Sequence, residues 1–186
     1  MEQIKWPFLK QTWGIEFESS KGAYLYTKDG RKILDAAGGA IVNNIGYGRE
    51  EVAEAISKAV INNSYILPPF LTPEREALLD ELRNHWLPPH LTRIHLSSGG
   101  SEANESAVKL AIQYQASRGK PEKNIILTRS LSYHGTTLNM SGISGHQARK
   151  RGLESYVPSP TTIETPYPLR CPLGSCLLYT SDAADE

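Results

Sequence analysis

The 186-residue chain has no excess of charge of either sign, because twenty Lys and Arg balance twenty Asp and Glu. The charges are interspersed, so no basic stripe marks a nucleic-acid partner and no polybasic cluster marks an anionic membrane surface. Long hydrophobic runs are missing too. None approaches the length of a membrane span, and residues 1–10 lack the apolar core of a secretory signal. Cytoplasmic residence is the expectation. Cysteine is scarce, with Cys171 and Cys176 both close to the C-terminus. A lone C-x4-C pair without histidine partners argues against zinc, and a disulfide is not expected in a cytosolic chain. No metal site is expected, and the chain holds no internal repeat or low-complexity tract. What is present is an ordinary mixed α/β composition, long enough for one good core or for one domain plus part of another.

Residues 5–22 read as an irregular arm with aromatic anchors at Trp6, Phe8, Trp13 and Phe17. A hairpin follows, its β-prone runs at 23–26 and 32–35 joined by a turn holding Asp29-Gly30. Residues 36–48 form a glycine-bearing loop. Residues 50–62 predict an amphipathic helix, with Val52, Ala55, Ile56, Ala59 and Val60 at helical spacing and acidic residues in the first turn. A second helix starts at Thr72-Pro73, an N-cap followed by proline at the first helical position, and is stopped by Pro88-Pro89. Further on, residues 93–96 predict a short buried strand and 102–118 a helix that buries Ala103, Ala107, Leu110, Ala111 and Tyr114. Residues 124–128 predict a second strand, and 131–145 a loop leading into another small-residue helix. Strand, helix, strand, loop, helix is the pattern of a parallel α/β layer. The last residues, Cys-Leu-Leu-Tyr-Thr-Ser-Asp-Ala-Ala-Asp-Glu, continue neither helix nor strand; residues 175–186 read as a non-native tail, like translated adapter sequence.

Two motifs carry chemistry. In residues 94–105 an apolar run breaks into Ser97-Ser98-Gly99-Gly100-Ser101 and continues without a gap into helix periodicity. Such a turn exposes backbone N–H groups at a helix start, where the helix dipole favours an anion. No lysine follows the glycines as in a P-loop, and no third spaced glycine completes a dinucleotide fingerprint. A compact site for one phosphate monoester remains. Gly100 would allow close approach and Ser101 would add a hydroxyl. A tight turn without a ligand is the other reading, and the motif alone does not separate the two. The second motif, Ser132-Tyr133-His134-Gly135-Thr136-Thr137, follows the next strand. Consecutive strands of a parallel sheet present their loops on one edge, so Tyr133 and His134 would hang over whatever the first turn anchors. A flat aromatic face suits stacking on a planar ring. The plainer alternative is a half-buried loop tyrosine beside a histidine that caps a backbone group.

Taken together, S-G-G-S-E-A-N-E-x-A-x-K-L-A at 98–111, Y-H-G-T-T at 133–137 and S-G-x-S-G-H at 141–146 resemble the class III aminotransferases. Gly22-Ala23-Tyr24-Leu25-Tyr26, Asp29-Gly30-Arg31, Leu34-Asp35 and Asn44-Ile45-Gly46-Tyr47-Gly48 agree, so the resemblance runs over about residues 14–174. It implies an α/β chain of the fold-type I, aspartate-aminotransferase-like class. Residues 1–62 would belong to the small domain, and 63–174 would form the first part of the large domain. The implied cofactor is pyridoxal 5′-phosphate, with Gly100 and Ser101 donating to its phosphate, Tyr133 stacking on its ring and His134 flanking it. Glu102 and Glu105 would serve structure, Lys109 would be a surface or structural lysine, and residues 38–42 would line a substrate pocket near a dimer interface. The implied activity moves an amino group from an amine or amino acid to a 2-oxo acid, in a homodimer. An aminomutase or decarboxylase of the same fold, or a non-catalytic fragment, are the alternatives. In that family the Schiff-base lysine and the aspartate facing the pyridine nitrogen come later than the Tyr-His-Gly loop. All ten lysines here precede residue 151. None stands in that context, so no catalytic residue is assigned and the chain by itself is expected to be inactive.

Overall fold

The computed structural model describes residues 14–165 and 167, and these fall into two compact units divided between Pro89 and His90. Trp6, Phe8, Trp13, both cysteines and the tail at 175–186 lie outside the described residues.

In the first unit, β1 (Phe17–Lys21), β2 (Tyr24–Thr27) and β3 (Lys32–Leu34) form an antiparallel sheet in the order β1-β2-β3. The expected hairpin is β2–β3, in register Tyr24↔Leu34 and Tyr26↔Lys32. Its turn is closed by the Gly30 N–H donating to the Thr27 carbonyl at 3.0 Å, with Gly30 at φ 86°. Phe17 was expected in an irregular arm. It opens a third strand instead, paired with β2 through a bulge between Phe17 and Ser19. Alternation is blurred there because the extra residue of a bulge shifts the side-chain period.

The glycine loop closes on this sheet by a reciprocal pair, Gly22 N–H to the Tyr47 carbonyl at 2.9 Å and Tyr47 N–H to the Gly22 carbonyl at 2.8 Å. Inside the loop a single turn, α1 (Gly38–Ile41), is left-handed, with φ of 55°, 61°, 74° and 66° at Gly38, Gly39, Ala40 and Ile41. Asp35 anchors the turn, accepting from Ala37 N–H (3.1 Å), Gly39 N–H (2.8 Å) and the Tyr47 hydroxyl (2.6 Å). The Tyr47 hydrogen bond, foremost, holds the Asp35 carboxyl below its ordinary range and pushes the tyrosine up.

The first long helix, α2 (Glu50–Asn62), has the predicted bounds. In α3 (Pro73–Glu81), the Thr72 hydroxyl accepts from Arg75 N–H at 3.3 Å and Pro73 occupies the first turn. The helix widens to a π turn, Leu82–Trp86, before the prolines stop it.

The second unit holds α4 (Gly100–Ser117), β4 (Leu127–Arg129), α5 (Leu138–Ile143) and β5 (Thr161–Ile163). Strands β4 and β5 pair in parallel, Leu127↔Thr161 to Arg129↔Ile163. Three expectations are corrected here. Residues 93–96 form no strand, since they have no ladder partner among the described residues. The small-residue helix α5 lies within the 131–145 loop rather than after it, because Thr137 caps it, its hydroxyl accepting from Met140 N–H at 3.3 Å. And α4 does not bury the expected face. Leu110 and Tyr114 are more than half exposed, whereas Ser101, Glu105 and Val108 are half-buried and α4 packs on α5. Helical spacing marks that face too, but two of its three residues are polar, so hydrophobicity alone selects the other one.

The buried centre of this unit is α5 and its continuation. Met140, Ser141, Gly142, Ile143, Ser144 and Gly145 are all buried. The small residues are needed for the close approach: a Cβ on Gly142 would lie 2.6 Å from Pro158 Cδ, and one on Gly145 would overlap the Arg129 carbonyl oxygen of β4.

Candidate cofactor-binding site

Helix α4 begins without a side-chain cap. Gly99, its N-cap, is fully extended (φ −172°, ψ 167°), and the first helical bond is Ala103 N–H to the Gly99 carbonyl at 3.0 Å. The N–H groups of Gly100, Ser101 and Glu102 therefore point out of the helix end with no acceptor among the described residues. Glu102 reaches back to accept from Ser98 N–H at 3.0 Å, which orders the turn one residue outside the cap. A Cβ added at Gly99 or Gly100 would meet nothing within 4 Å. The turn is thus open, with three free donors among the described residues and a positive dipole end, which fits a phosphate.

The second motif lies against this turn, tied to it by direct hydrogen bonds. Thr136 N–H donates to the Ser101 hydroxyl oxygen at 3.0 Å, leaving the Ser101 proton free to donate elsewhere. Asn104 Nδ2 donates to the His134 carbonyl at 2.7 Å. Glu105 accepts from the Thr137 hydroxyl at 2.6 Å and from Asn139 Nδ2 at 2.8 Å. Those two bonds, Thr137 first, lower the Glu105 carboxyl from its ordinary value of 4.5. Gly135 is buried where the loop crosses the helix. Its φ is 143°, and a Cβ there would sit 2.6 Å from Ser101 Oγ.

The two halves of the Tyr133-His134 pair face opposite ways. Tyr133 is 55% exposed, and the Arg149 guanidinium lies over its ring, 4.8 Å from the centroid. One face is covered by the cation, and the exposure leaves the ring accessible to a planar partner. The His134 ring turns inward, its Nε2 3.1 Å from the Thr128 hydroxyl of β4. The His134 backbone N–H donates to Ser144 Oγ at 2.9 Å. Ser132 extends the same network, 3.1 Å from Thr128 Oγ1 and accepting from Gly145 N–H at 2.9 Å. His134 flanks the site from the inner side, where it fixes the loop on which Tyr133 stands.

All four residues singled out from the sequence are therefore brought together in one unit. Sequence reasoning missed the pieces that hold them: Asn104, Thr137, Asn139 and Arg149. It gave Glu102 and Glu105 one structural role, but only Glu102 lies in the first turn of α4, while Glu105 faces Thr137 and Asn139. The spacing Ser101, Glu105, Val108 was the available signal for one helix face. Nothing local says what that face meets.

Among the described residues, no helix is long and apolar enough to cross a membrane, and no cluster of three His, Cys, Asp or Glu could hold a metal ion. A family model, Aminotransferase class-III, matches residues 10–177. The chain is 32% identical to an uncharacterized aminotransferase of Bacillus subtilis, YodT, over 90% of this chain and 38% of that protein. It is 35% identical to a probable aminotransferase of Mycobacterium tuberculosis, over 84% of this chain and 34% of that one. Its structure is similar to that of a thermostable (S)-enantioselective omega-transaminase from Thermomicrobium roseum. The TM-score is 0.78 at 29% identity, over 86% of this chain and 36% of that chain. A transaminase from the marine bacterium Virgibacillus gives 0.80 at 26% identity, over 88% and 38%. The chain spans well under half the length of these relatives and has the fold of the corresponding part of a fold-type I transaminase. It belongs to the class III aminotransferases.

Proposed function

We propose that residues 98–146 are the cofactor-anchoring segment of an enzyme that moves an amino group from an amine or amino acid to a 2-oxo acid, with pyridoxal 5′-phosphate as cofactor. The observation that carries this reading is the open helix start at Gly100 and Ser101, hydrogen-bonded to the loop that presents Tyr133. When bound, pyridoxal 5′-phosphate supplies a ring that acts as an electron sink for carbon–nitrogen chemistry. The protein's own part is to hold it. The free N–H groups of Gly100, Ser101 and Glu102 and the Ser101 hydroxyl would take the phosphate, while Tyr133 would offer a ring face and His134 would keep the loop in place.

Three of the four lysines of the second unit stand away from this constellation, and the fourth, Lys150, follows the Arg149 that lies over Tyr133. Lys109 lies about 13 Å along α4 from Gly100, at about 1.5 Å per residue, and Lys120 and Lys123 lie beyond the far end of the helix. None of these four stands in the sequence context of the family's Schiff-base lysine, so the 186-residue chain is proposed to anchor the cofactor without transferring an amino group. Transfer, the homodimer and the lining of a substrate pocket by residues 38–42 belong to a protein of the relatives' full length, placed in the cytoplasm.

Titration of the chain with pyridoxal 5′-phosphate tests the anchor. A methyl at Gly100 meets no protein atom, so Gly100→Ala leaves the fold in place and fills only the ligand's space. Native binding that weakens several-fold in Gly100→Ala is expected; absent native binding, or equal affinity in both, overturns the reading. For the full-length protein, labelled amino donor should give a keto product and an aminated acceptor. Release of carbon dioxide or an isomeric product would replace transfer by decarboxylation or mutation of the amino position.

A further inference from the structure

The bonds from α4 to the Tyr133 loop are not equivalent. Ser101 and Asn104 engage the loop backbone, at Thr136 N–H and the His134 carbonyl, and hold the loop near the helix whatever its side chains are. Glu105 is different, because both of its carboxylate oxygens are taken by side chains that begin α5, Thr137 Oγ1 at 2.6 Å and Asn139 Nδ2 at 2.8 Å. The Thr137 hydroxyl oxygen simultaneously accepts from Met140 N–H, so the same atom caps α5 and donates to α4. A carboxylate bridging two donors is a two-point clamp, and it fixes rotation as well as distance. The loop between this clamp and β4 has little freedom left, since His134 is tied to Thr128 and Ser144 at its other side.

We propose that Glu105 is a positioning residue for cofactor binding: by clamping Thr137 and Asn139 it sets the Tyr133 ring at a fixed separation from the phosphate turn at Gly100 and Ser101. This rests on the reading of that turn as a phosphate anchor. Two probes separate the roles. Inorganic phosphate uses only the turn, whereas pyridoxal 5′-phosphate uses the turn and the ring together. Loss of the clamp loosens the ring, whose loop is then held at His134 by Asn104, Thr128 and Ser144, and leaves the helix N–H groups where they are, so the two affinities respond differently.

The test is equilibrium titration of the 186-residue chain and its Glu105→Leu and Glu105→Gln variants with both probes. Amide exchange of α4 serves as the folding control. In Glu105→Leu, affinity for pyridoxal 5′-phosphate should fall about tenfold, the scale of losing charge-assisted hydrogen bonds, with inorganic phosphate unchanged. The amides at 136–140 should exchange faster while those at 109–113 keep their protection. Glu105→Gln keeps one acceptor and allows Asn139 to flip, so it should restore most of the discrimination. A parallel loss of both probes in Glu105→Gln means a merely structural role and overturns the proposal. So does an unchanged affinity ratio in Glu105→Leu. Failure of the native chain to bind either probe is a separate result: it removes the phosphate anchor itself, and the positioning role with it.

Discussion

At the scale of single residues, the second unit is held by contacts that leave little tolerance. Gly135 combines a backbone angle that L side chains rarely adopt with a Cβ position only 2.6 Å from Ser101 Oγ. Gly135→Ala should therefore cost about 2 kcal/mol or more in chemical denaturation of the chain, through strain and overpacking combined. An unchanged midpoint would mean that the loop does not cross the helix as described. Glu105 makes a prediction of opposite character, about protons. Its folded carboxyl lies below the ordinary value of 4.5, so the bridge contributes fully above that value and is lost as pH falls through the lowered one. A ¹³C titration of the Glu105 carboxyl should have its midpoint below 4.5, and Thr137→Val should move it upward. A native midpoint at or above the ordinary value contradicts the bridge.

At the scale of elements, two short helical turns matter more than the long helices. The six residues of α5 contain the only two buried hydrophobic side chains among the described residues, Met140 and Ile143. Met140→Ala should cost about 3 kcal/mol by denaturation, the usual range for emptying a buried methionine site. A loss within error would show that the centre of the unit lies elsewhere. The left-handed turn α1 works against its own sequence. Ile41 is β-branched, sits at φ 66° and is 81% exposed, so its side chain contributes strain without packing. Ile41→Gly should stabilise the chain by up to about 1 kcal/mol, because glycine keeps the left-handed angle without the Cβ penalty. Destabilisation would indicate that the side chain is packed after all.

At the scale of the whole molecule, apolar surface is left uncovered. Leu110 on α4, Leu96 before it, Ile125 just ahead of β4 and Leu127 at its start are all exposed. A parallel pair of strands normally has both faces covered, and here the chain spans only 38% of the B. subtilis relative's length. The chain should bind a hydrophobic dye such as ANS and associate at micromolar concentration. Leu110→Lys combined with Ile125→Lys should reduce both effects in fluorescence and sedimentation measurements. A monodisperse chain that binds no dye would contradict the exposure.

Periodicity and capping chemistry determined α2, α3 and most of α4 from sequence alone, because those signals are local: acidic first turns, Thr72-Pro73, helical spacing. The hairpin at Asp29-Gly30 was legible for the same reason, Gly30 taking a backbone angle that few residues permit, and the start of α4 at Gly100-Ser101 was legible because helix periodicity begins directly after the glycines. Tertiary structure alone decided which face of α4 is used, that residues 93–96 stay unpaired, that Phe17 joins a sheet, and that the His134 ring turns inward. Each depends on a partner distant in sequence. Ser101, Glu105 and Val108 become an inner face only once α5 lies against them, and no property of a polar helix face announces that in advance. The same physics separates the site from its support. Gly100, Ser101 and Tyr133, the proposed cofactor contacts, stand out by their own residue types, while Glu105, Thr137 and Asn139 acquire their mutual bonds only by meeting.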